Sequence, residues 1–186
     1  VLSLEESQAK QQAAIDSGAL VQYDREIKFA NERFDPIFEE YAKVCFDALG
    51  DRVHHWITIN EAWTVAVNGY STGIHAPGHQ SPTEPYLVGH QLLLAHARAA
   101  QYYKKHYNGM IGMANCGDYR YPRQPSSAAD RRAAQRAMEF QFGWFVDPIL
   151  KGDYPESMRQ RLGSRLPNFT SDEEDLLRHS ADFLGL

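Results

Sequence analysis

The stretch Trp56-Ile57-Thr58-Ile59-Asn60-Glu61-Ala62-Trp63 carries the strongest structural signal in this 186-residue chain. Its first four residues are apolar or β-branched, and they predict a buried β-strand. The strand ends in an amide and a carboxylate, Asn60 and Glu61. Parallel β/α barrels present their catalytic groups at the carboxyl ends of strands. The stretch therefore predicts a parallel sheet with a functional carboxylate at one strand end.

Helical patterns alternate with strand patterns on both sides of this stretch. Upstream, Asp35-Pro36 is a good N-cap followed by a good first helical residue, and Gly50 ends the pattern. The apolar stripe expected on that helix is Ile37, Phe38, Tyr41, Val44, Cys45 and Ala48. We predict strands at residues 53–60, 110–115 and 181–186, and long loops at 62–85 and 116–127. Helices are predicted at 86–106, 128–146 (ended by Asp147-Pro148) and 171–179. A capping box, Thr170-Ser171-Asp172-Glu173, opens the last of them.

Strands that alternate with long helices indicate an α/β fold with a parallel sheet. An eight-stranded barrel usually needs about 250 residues, and only about three strands are visible here. The pattern therefore predicts either a segment of a (β/α)8 TIM barrel or a small three-stranded α/β unit. Residues 1–28, rich in Ala, Gln and Glu, predict an N-terminal helical arm of unclear role, with a helix at 4–15.

Composition narrows the possible partners. The net charge of −5 argues against a general phosphate-binding surface, so we expect no nucleic-acid partner. No apolar run approaches the ~18 residues of a membrane span. Cys45 and Cys116 are expected to be buried free thiols, because two cysteines cannot define a disulfide framework. The compartment is left open by the sequence.

The eight histidines invite a metal hypothesis, which the spacing does not favour. His75 and His79 flank a Pro-Gly loop, and no carboxylate or cysteine completes a ligand set. His90 and His96 are six residues apart, off a common helical face, and are expected to be packing or surface residues. No Gly-rich phosphate loop is present either. We therefore expect neither a metal nor a cofactor.

The pair Asn60-Glu61 fits one half of a glycoside-cleaving site. Glycosidic bonds are broken by two carboxyl groups, one of which protonates the leaving oxygen. In the retaining mechanism the other attacks the sugar, at a separation of roughly 5–5.5 Å. A single glutamate after a strand is more often an exposed charge. The residues alone therefore leave open whether Glu61 is a catalytic acid or an exposed surface charge.

Ordered matches along residues 29–186 resemble glycoside hydrolase family 1, the β-glucosidases. Residues 50–61 resemble its fourth barrel strand with a Thr-x-Asn-Glu-Pro signature, and residues 182–186 resemble the start of its sixth strand. The other matching segments are Asn31 with 38–46, then 69–70, 76–78, 90–99, 143–148 and 152–155. The resemblance implies a partial barrel, roughly strands four to six with their helices.

This resemblance implies roles for four residues. Glu61 would be the acid/base, and Asn60 would contact the sugar 2-OH. Trp63 and Tyr119 are candidates to stack on a sugar or aglycone face, and they are equally well explained as packing residues. The implied substrate is a β-glycoside.

The chain also departs from the family pattern. Ala62 stands where the signature has Pro, and no Glu-Asn-Gly context for a nucleophile occurs in the sequence. One hypothesis is a fragment of a retaining β-glucosidase that carries the acid/base but not the nucleophile. The alternative is a catalytically inactive truncated relative that serves as a binding or structural subunit. Either way, we expect the chain alone to be inactive and to need another chain or missing segments to cover its sheet edges.

Overall fold

The computed structural model describes residues 36–186, which lie in one compact unit, Asp35–Leu186. The predicted arm at residues 1–28, with its helix at 4–15, lies outside the described residues. Helix α1 spans residues 36–49, and a helical segment, α2, spans residues 62–70. The remaining elements are β1 His55–Asn60, α3 Glu84–His106, β2 Met110–Ala114, α4 Ala128–Met138, α5 Trp144–Lys151, α6 Glu156–Leu162, α7 Ser171–Arg178 and β3 Phe183–Gly185.

The three predicted strands are confirmed and form one parallel sheet in the order β1-β2-β3. Helix α3 connects β1 to β2, and helices α4 to α7 lie between β2 and β3. Parallel neighbours need such long crossovers, because each strand must return to the same end of the sheet. Strands joined in this way are what a segment of a β/α barrel contains.

Helix α3 packs across the sheet and forms the centre of the core. Leu93, Ala97 and Tyr103 on this helix are fully buried. Small alanines let the helix approach the strands closely, and Ala95, Ala99 and Ala100 are also fully buried. Helix α5 closes the same core with Trp144 and Phe145. The sheet is therefore covered on the helical side by residues from distant parts of the chain.

The predicted apolar stripe of α1 is only partly buried. Phe46 is 3% exposed and lies at the centre of an aromatic cluster, 4.9 Å from the Trp56 ring and 4.9 Å from the Tyr103 ring. Val44 and Tyr41, by contrast, are 68% and 62% exposed. Much of the apolar stripe of α1 is therefore left exposed.

The predicted loop at 62–85 begins as a helix, which corrects the sequence interpretation. Residues 62–70 are helical, with a π-helical centre at Thr64–Asn68. The β-branched residues of this segment disfavour helix by propensity. Ala62 and Ala66 nevertheless have no exposed surface and belong to the main core. Burial of these two residues against α3 outweighs the weak local preference.

The predicted helix end at Asp147-Pro148 is wrong, because α5 runs through the proline to Lys151. A proline inside a helix costs about 3 kcal/mol through its missing N–H and its ring. Burying one large apolar side chain contributes roughly 1.5–3 kcal/mol. Trp144 and Ile149 of α5 are 1% and 2% exposed. Gly152, at a φ of 85°, then ends the helix by donating its N–H to the Pro148 carbonyl.

The sequence predicts helix α7 but not helix α6. The capping box predicted for α7 is present: the Thr170 hydroxyl accepts the Glu173 N–H, and the Glu173 carboxylate accepts the Thr170 N–H. Helix α6 has no such side-chain cap and was not predicted. Each helix described within residues 36–186 is too short or too polar to span a bilayer.

Candidate active site

The carboxyl ends of the three parallel strands meet at one edge of the sheet. The Glu61 N–H donates to the Ala114 carbonyl at 2.8 Å, just beyond β1. The Asn115 N–H donates to the Gly185 carbonyl at 3.0 Å, just beyond β2. These bonds continue the sheet past the ends of its strands. They bring Glu61 and Asn115 to the same edge, where ligands bind in parallel α/β proteins.

The pairing of β1 with β2 is interrupted shortly before this edge. Ile57 is paired with Gly112, whereas Asn60 is paired with Ala114. Three steps along β1 thus match two steps along β2, which is the definition of a β-bulge. Bulges beside active sites commonly redirect a side chain, and they also end regular pairing. Nothing in the sequence pattern predicts this bulge.

The bulge decides which face of the sheet Asn60 occupies. Thr58 and Ile59 both lie on the helical side: Thr58 bonds to His96 of α3, and Ile59 is 8% exposed within the core. Ile57 is 52% exposed, and Asn60 is exposed as well. A regular strand would alternate and return Asn60 to the helical side. The extra residue instead places Asn60 on the opposite face, with Ile57. We call this the uncovered face, because none of the helices described within residues 36–186 packs on it.

Glu61 has an unusual backbone conformation, with a φ of 50°. A non-glycine residue in this left-handed region carries of order 1–3 kcal/mol of strain, and such residues cluster at functional sites. Both backbone groups of Glu61 are nonetheless used. Its N–H bonds to Ala114, and its carbonyl accepts the Val65 N–H at 3.2 Å. The strained conformation is therefore held from β2 on one side and from α2 on the other.

The Glu61 side chain is exposed and is oriented by the first turn of α2. The Thr64 hydroxyl donates to Glu61 Oε2 at 3.1 Å. The same hydroxyl oxygen lies 3.6 Å from Cys116 Sγ, in the loop after β2. Cys116 and Cys45 are both free and only half-buried, which corrects the expectation of fully buried thiols. A carboxylate with one oxygen held and one open can exchange protons with a bound ligand.

The residue after the carboxylate, Ala62, is the first residue of α2 and is fully buried. Proline is favoured at the first position of a helix, because the N–H there has no intrahelical partner. The alanine that replaces the signature proline therefore occupies a position with the geometry that suits proline. The helix start is kept despite the substitution.

The two aromatic candidates lie in different environments. Trp63 is half-buried and packs against the main core. Tyr119 is 65% exposed, in the loop after β2, and its ring centre lies 4.7 Å from that of the exposed Tyr121 in an edge-to-face pair. Trp63 thus has a packing contact, while the Tyr119 ring is accessible to a ligand.

Asn115 is a polar residue at this edge that sequence reasoning did not single out as a site residue. It is 4% exposed, and neither polar atom of its side-chain amide has a hydrogen-bond partner among the described residues. Leaving a buried polar group unpaired costs about 1–3 kcal/mol. No sequence signal distinguishes it from an ordinary asparagine at a strand end, because the cost arises only from its surroundings.

Three histidines make contacts within the fold: His79, His90 and His96. His90 and His96 are buried, and burial lowers the pKa of His90 to about 4 and that of His96 to about 3. His90 Nδ1 is 2.9 Å from the Tyr154 hydroxyl. His79, in the loop after α2, lies 2.8 Å from the Glu84 carboxylate. Within residues 36–186, no three His, Cys, Asp or Glu side chains are grouped so that they could hold a metal ion.

Comparisons with known proteins identify relatives along most of the chain. The model of glycosyl hydrolase family 1 matches residues 22–186, beginning earlier than the predicted residue 29. β-Glucosidase 40 of Arabidopsis thaliana is 43% identical over 180 residues, which cover 88% of this chain and 35% of that protein. The chain thus spans about a third of the length of the curated relatives it matches.

Solved structures give the same result. A β-glucosidase from the fungus Humicola insolens, in complex with glucose, superimposes with a TM-score of 0.80 at 43% identity, over 83% of this chain and 35% of that one. A Glu-to-Gln variant of the rice Os3BGlu6 β-glucosidase, in a covalent complex with Glc, superimposes with a TM-score of 0.79 at 44% identity, over 81% of this chain and 35% of that one.

Proposed function

Because the chain belongs to glycosyl hydrolase family 1, we propose that it is a segment of a retaining β-glucosidase and that Glu61 is the acid/base of the site. The chain forms part of a (β/α)8 barrel, with three parallel strands. The observation that carries the proposal is the position of Glu61. It follows β1 directly at the carboxyl edge of the sheet, in a strained conformation held by bonds to Ala114 and Val65.

In the first step of the reaction, the Glu61 carboxyl would protonate the leaving oxygen of a β-glycoside. In the second step, the carboxylate would accept a proton from the attacking water. The bond from Thr64 to Oε2 supports this role, because it fixes the carboxylate and leaves Oε1 to face a ligand. A fixed acid loses little entropy on reaching the reacting oxygen.

The second carboxyl group of a retaining site would come from the part of the family's length that this chain does not span. The sequence contains no Glu-Asn-Gly segment. The covalent complex of the rice variant with Glc is the kind of species that a nucleophilic carboxylate forms, and it supports a retaining mechanism. The chain alone would then lack the attacking group.

Asn60 and the aromatic residues would bind the sugar. The bulge places Asn60 on the uncovered face, where its amide can donate to a sugar 2-OH. Hydrogen bonds to the 2-OH strengthen in the transition state. The exposed Tyr119 ring would stack on the sugar or aglycone, and the half-buried Trp63 would support the site from beneath.

The alternative function is a binding or structural subunit that has lost hydrolysis. One observation favours it: Ala62 stands where the family signature has proline. In that case Asn60 and Tyr119 could still bind a β-glycoside without cleaving it. The two functions differ in whether Glu61 contributes to turnover when the barrel is complete.

The deciding experiment restores a complete barrel. Residues 36–186 would replace the matching segment of the Humicola insolens β-glucosidase, and hydrolysis of aryl β-glucosides would be measured. We expect activity that Glu61→Gln lowers about 10²–10⁴-fold with a poor leaving group. With a 2,4-dinitrophenyl leaving group, which needs no acid, Glu61→Gln should slow the first step only slightly. Azide should restore turnover in the second step, because this anion attacks the glycosyl-enzyme in place of water and needs no general base.

Two controls complete this experiment. Glu156→Gln, on the exposed surface of α6, changes the charge equally and should leave activity unchanged. Equal activity of Glu61→Gln and the parent chimaera would refute the acid/base role. The isolated chain should show no turnover; hydrolysis that disappears in Glu61→Gln would instead show that this chain already contains the second carboxylate.

A further inference from the structure

A buried histidine joins three elements directly beneath the candidate site. His96, on α3, has no exposed surface. Its Nδ1 lies 2.6 Å from the Thr58 hydroxyl oxygen on β1, and its Nε2 lies 3.1 Å from the Ser180 hydroxyl oxygen, between α7 and β3. The ring, on α3, therefore links β1 to the connection between α7 and β3.

The neighbouring bonds determine which ring nitrogen carries the proton. The Ser180 hydroxyl has one hydrogen, and it donates to the Leu177 carbonyl at 2.6 Å. Ser180 must then accept from His96, so Nε2 carries the hydrogen. In a neutral ring Nδ1 is consequently the acceptor, and the Thr58 hydroxyl donates to it at 2.6 Å rather than to the Gly112 carbonyl at 3.2 Å.

The ring stays neutral over the ordinary pH range. Burial lowers the pKa of His96 to about 3, and the positive charge of Lys104 contributes in the same direction. The donor and acceptor sides of the ring are therefore fixed. Because both the ring and the Ser180 hydroxyl are buried, loss of either bond would leave an unpaired polar group in the core.

Thr58 lies within the β1 bulge. The register changes between Ile57 and Asn60. The two residues between them, Thr58 and Ile59, must both stay on the helical side for the bulge to persist. Hydrogen bonding holds the Thr58 side chain toward α3, while Ile59 is held there only by apolar contact. If Thr58 were released, β1 could return to regular alternation. Asn60 would then rotate toward the helices, and the bond from Glu61 to Ala114 would be lost.

We propose that His96 is a positioning residue that acts through Thr58 to hold the β1 bulge, and so keeps Asn60 on the substrate face and Glu61 at the sheet edge. The proposal rests on the proposed function of Asn60 and Glu61. His96 touches neither the substrate nor these two residues. Its effect is exerted through one hydrogen bond to the strand that carries them.

The test uses the full chain and two matched pairs of variants. Thr58→Val removes the hydroxyl at nearly constant volume, and Thr58→Ser keeps it. His96→Asn keeps an acceptor near the Nδ1 position, whereas His96→Gln keeps a donor near the Nε2 position and loses the bond to Thr58. Ser180→Ala removes only the other bond of the ring. The readout is hydrogen–deuterium exchange of the Glu61 amide, which bonds to Ala114.

Exchange of the Glu61 amide is expressed relative to that of the core amide of Leu93, which reports general loss of stability. We expect Thr58→Val and His96→Gln to speed the relative exchange at least about tenfold, equivalent to about 1.4 kcal/mol. Thr58→Ser, His96→Asn and Ser180→Ala should leave the ratio unchanged, even where they destabilise the whole chain. The ratio separates positioning from stability, because a purely structural histidine would shift both amides together.

Equal ratios for His96→Asn and His96→Gln would overturn the proposal, as would an effect of Ser180→Ala as large as that of Thr58→Val. The measurement needs no turnover, so it stands apart from the role of Glu61 in catalysis. If Glu61 fails as the acid/base in the chimaera while the exchange pattern is as expected, the positioning of the strand end survives and the proposed reaction does not.

Discussion

At the scale of single residues, the backbone of Glu61 is the most constrained feature of the candidate site. Its φ of 50° is unfavourable for a side chain with a Cβ atom, yet its N–H and carbonyl are both hydrogen-bonded. The surrounding structure therefore enforces a conformation that the residue itself disfavours. An acid that is held in one orientation before a ligand arrives needs less reorganisation during the reaction.

This strain predicts an unusual ranking of substitutions at position 61. Glycine normally destabilises a protein relative to alanine, by roughly 0.5–1 kcal/mol. At this φ the order should reverse, because only glycine escapes the Cβ penalty of about 1–2 kcal/mol. We expect Glu61→Gly to unfold at higher urea concentration than Glu61→Ala. The same pair of substitutions at the exposed Arg132, in the interior of helix α4, should show the normal order, and the normal order at position 61 would contradict the strain.

The buried histidines predict a loss of stability in acid. In the unfolded chain a histidine binds its proton near pH 6.5. In the folded chain burial lowers the pKa of His90 to about 4 and that of His96 to about 3. Between these values the unfolded state binds more protons, so stability is present above pH 6.5 and falls as the pH falls. Each group contributes a slope of up to about 1.4 kcal/mol per pH unit.

The measurement is the free energy of urea unfolding at several values between pH 7 and pH 5. His96→Asn should be less stable at pH 7 but should have a shallower dependence on pH, because one buried titrating group has been removed. The same substitution at the exposed His106 is the matched control. An unchanged slope in His96→Asn would show that folding does not lower the pKa of His96.

At the scale of elements, local signals succeeded where a few adjacent residues decide the structure. The capping box at Thr170 and Glu173 begins α7 as predicted, because two side chains satisfy two backbone N–H groups without help from the rest of the fold. The helix end predicted at Pro148 was wrong, because apolar contacts with distant residues stabilise the continuation of α5. Local chemistry was sufficient in the first case and was overridden in the second.

The α7 cap gives a prediction at this scale. Thr170→Ala should lower the free energy of unfolding by about 1 kcal/mol, because the Glu173 N–H loses its acceptor. Thr170→Ser keeps an acceptor and should be nearly neutral. Urea unfolding followed by circular dichroism measures both variants. An equal loss in the two would mean that the threonine methyl group, rather than the cap, supplies the stability.

At the scale of the whole molecule, the described residues leave two strand edges and several apolar side chains uncovered. Strands β1 and β3 are both at edges of the described sheet. Ile57 in β1 and Tyr41 and Val44 in α1 are 52%, 62% and 68% exposed. Unpaired strand edges and apolar surface promote association between chains. Relatives about three times as long have more chain with which to cover such surfaces.

We therefore expect the isolated 186-residue chain to self-associate, as measured by size-exclusion chromatography with light scattering. Ile57→Lys, which places a charge on the uncovered face of β1, should shift the distribution toward monomer. Val65→Lys, at a residue of α2 that is 42% exposed, is the control and should have a smaller effect. A monodisperse, well-folded monomer of the unmodified chain would contradict this expectation.

The sequence by itself determined the three strands, their parallel pairing through helical crossovers and the position of Asn60-Glu61 at the end of a strand, although it missed helices α2 and α6. These features depend on periodicity and on neighbouring residues, which the chain carries locally. Ordered matches to a known family then predicted the barrel, and the comparisons confirmed that family.

Only the tertiary structure decided how those residues are presented. The β1 bulge that turns Asn60 to the uncovered face, the left-handed Glu61 and the bond from His96 to Thr58 all join residues far apart in the chain. The same is true of the unpaired Asn115 and of α5 continuing past Pro148. Each is a balance between a local cost and long-range burial or hydrogen bonding, and that balance exists only once the distant partners are in contact.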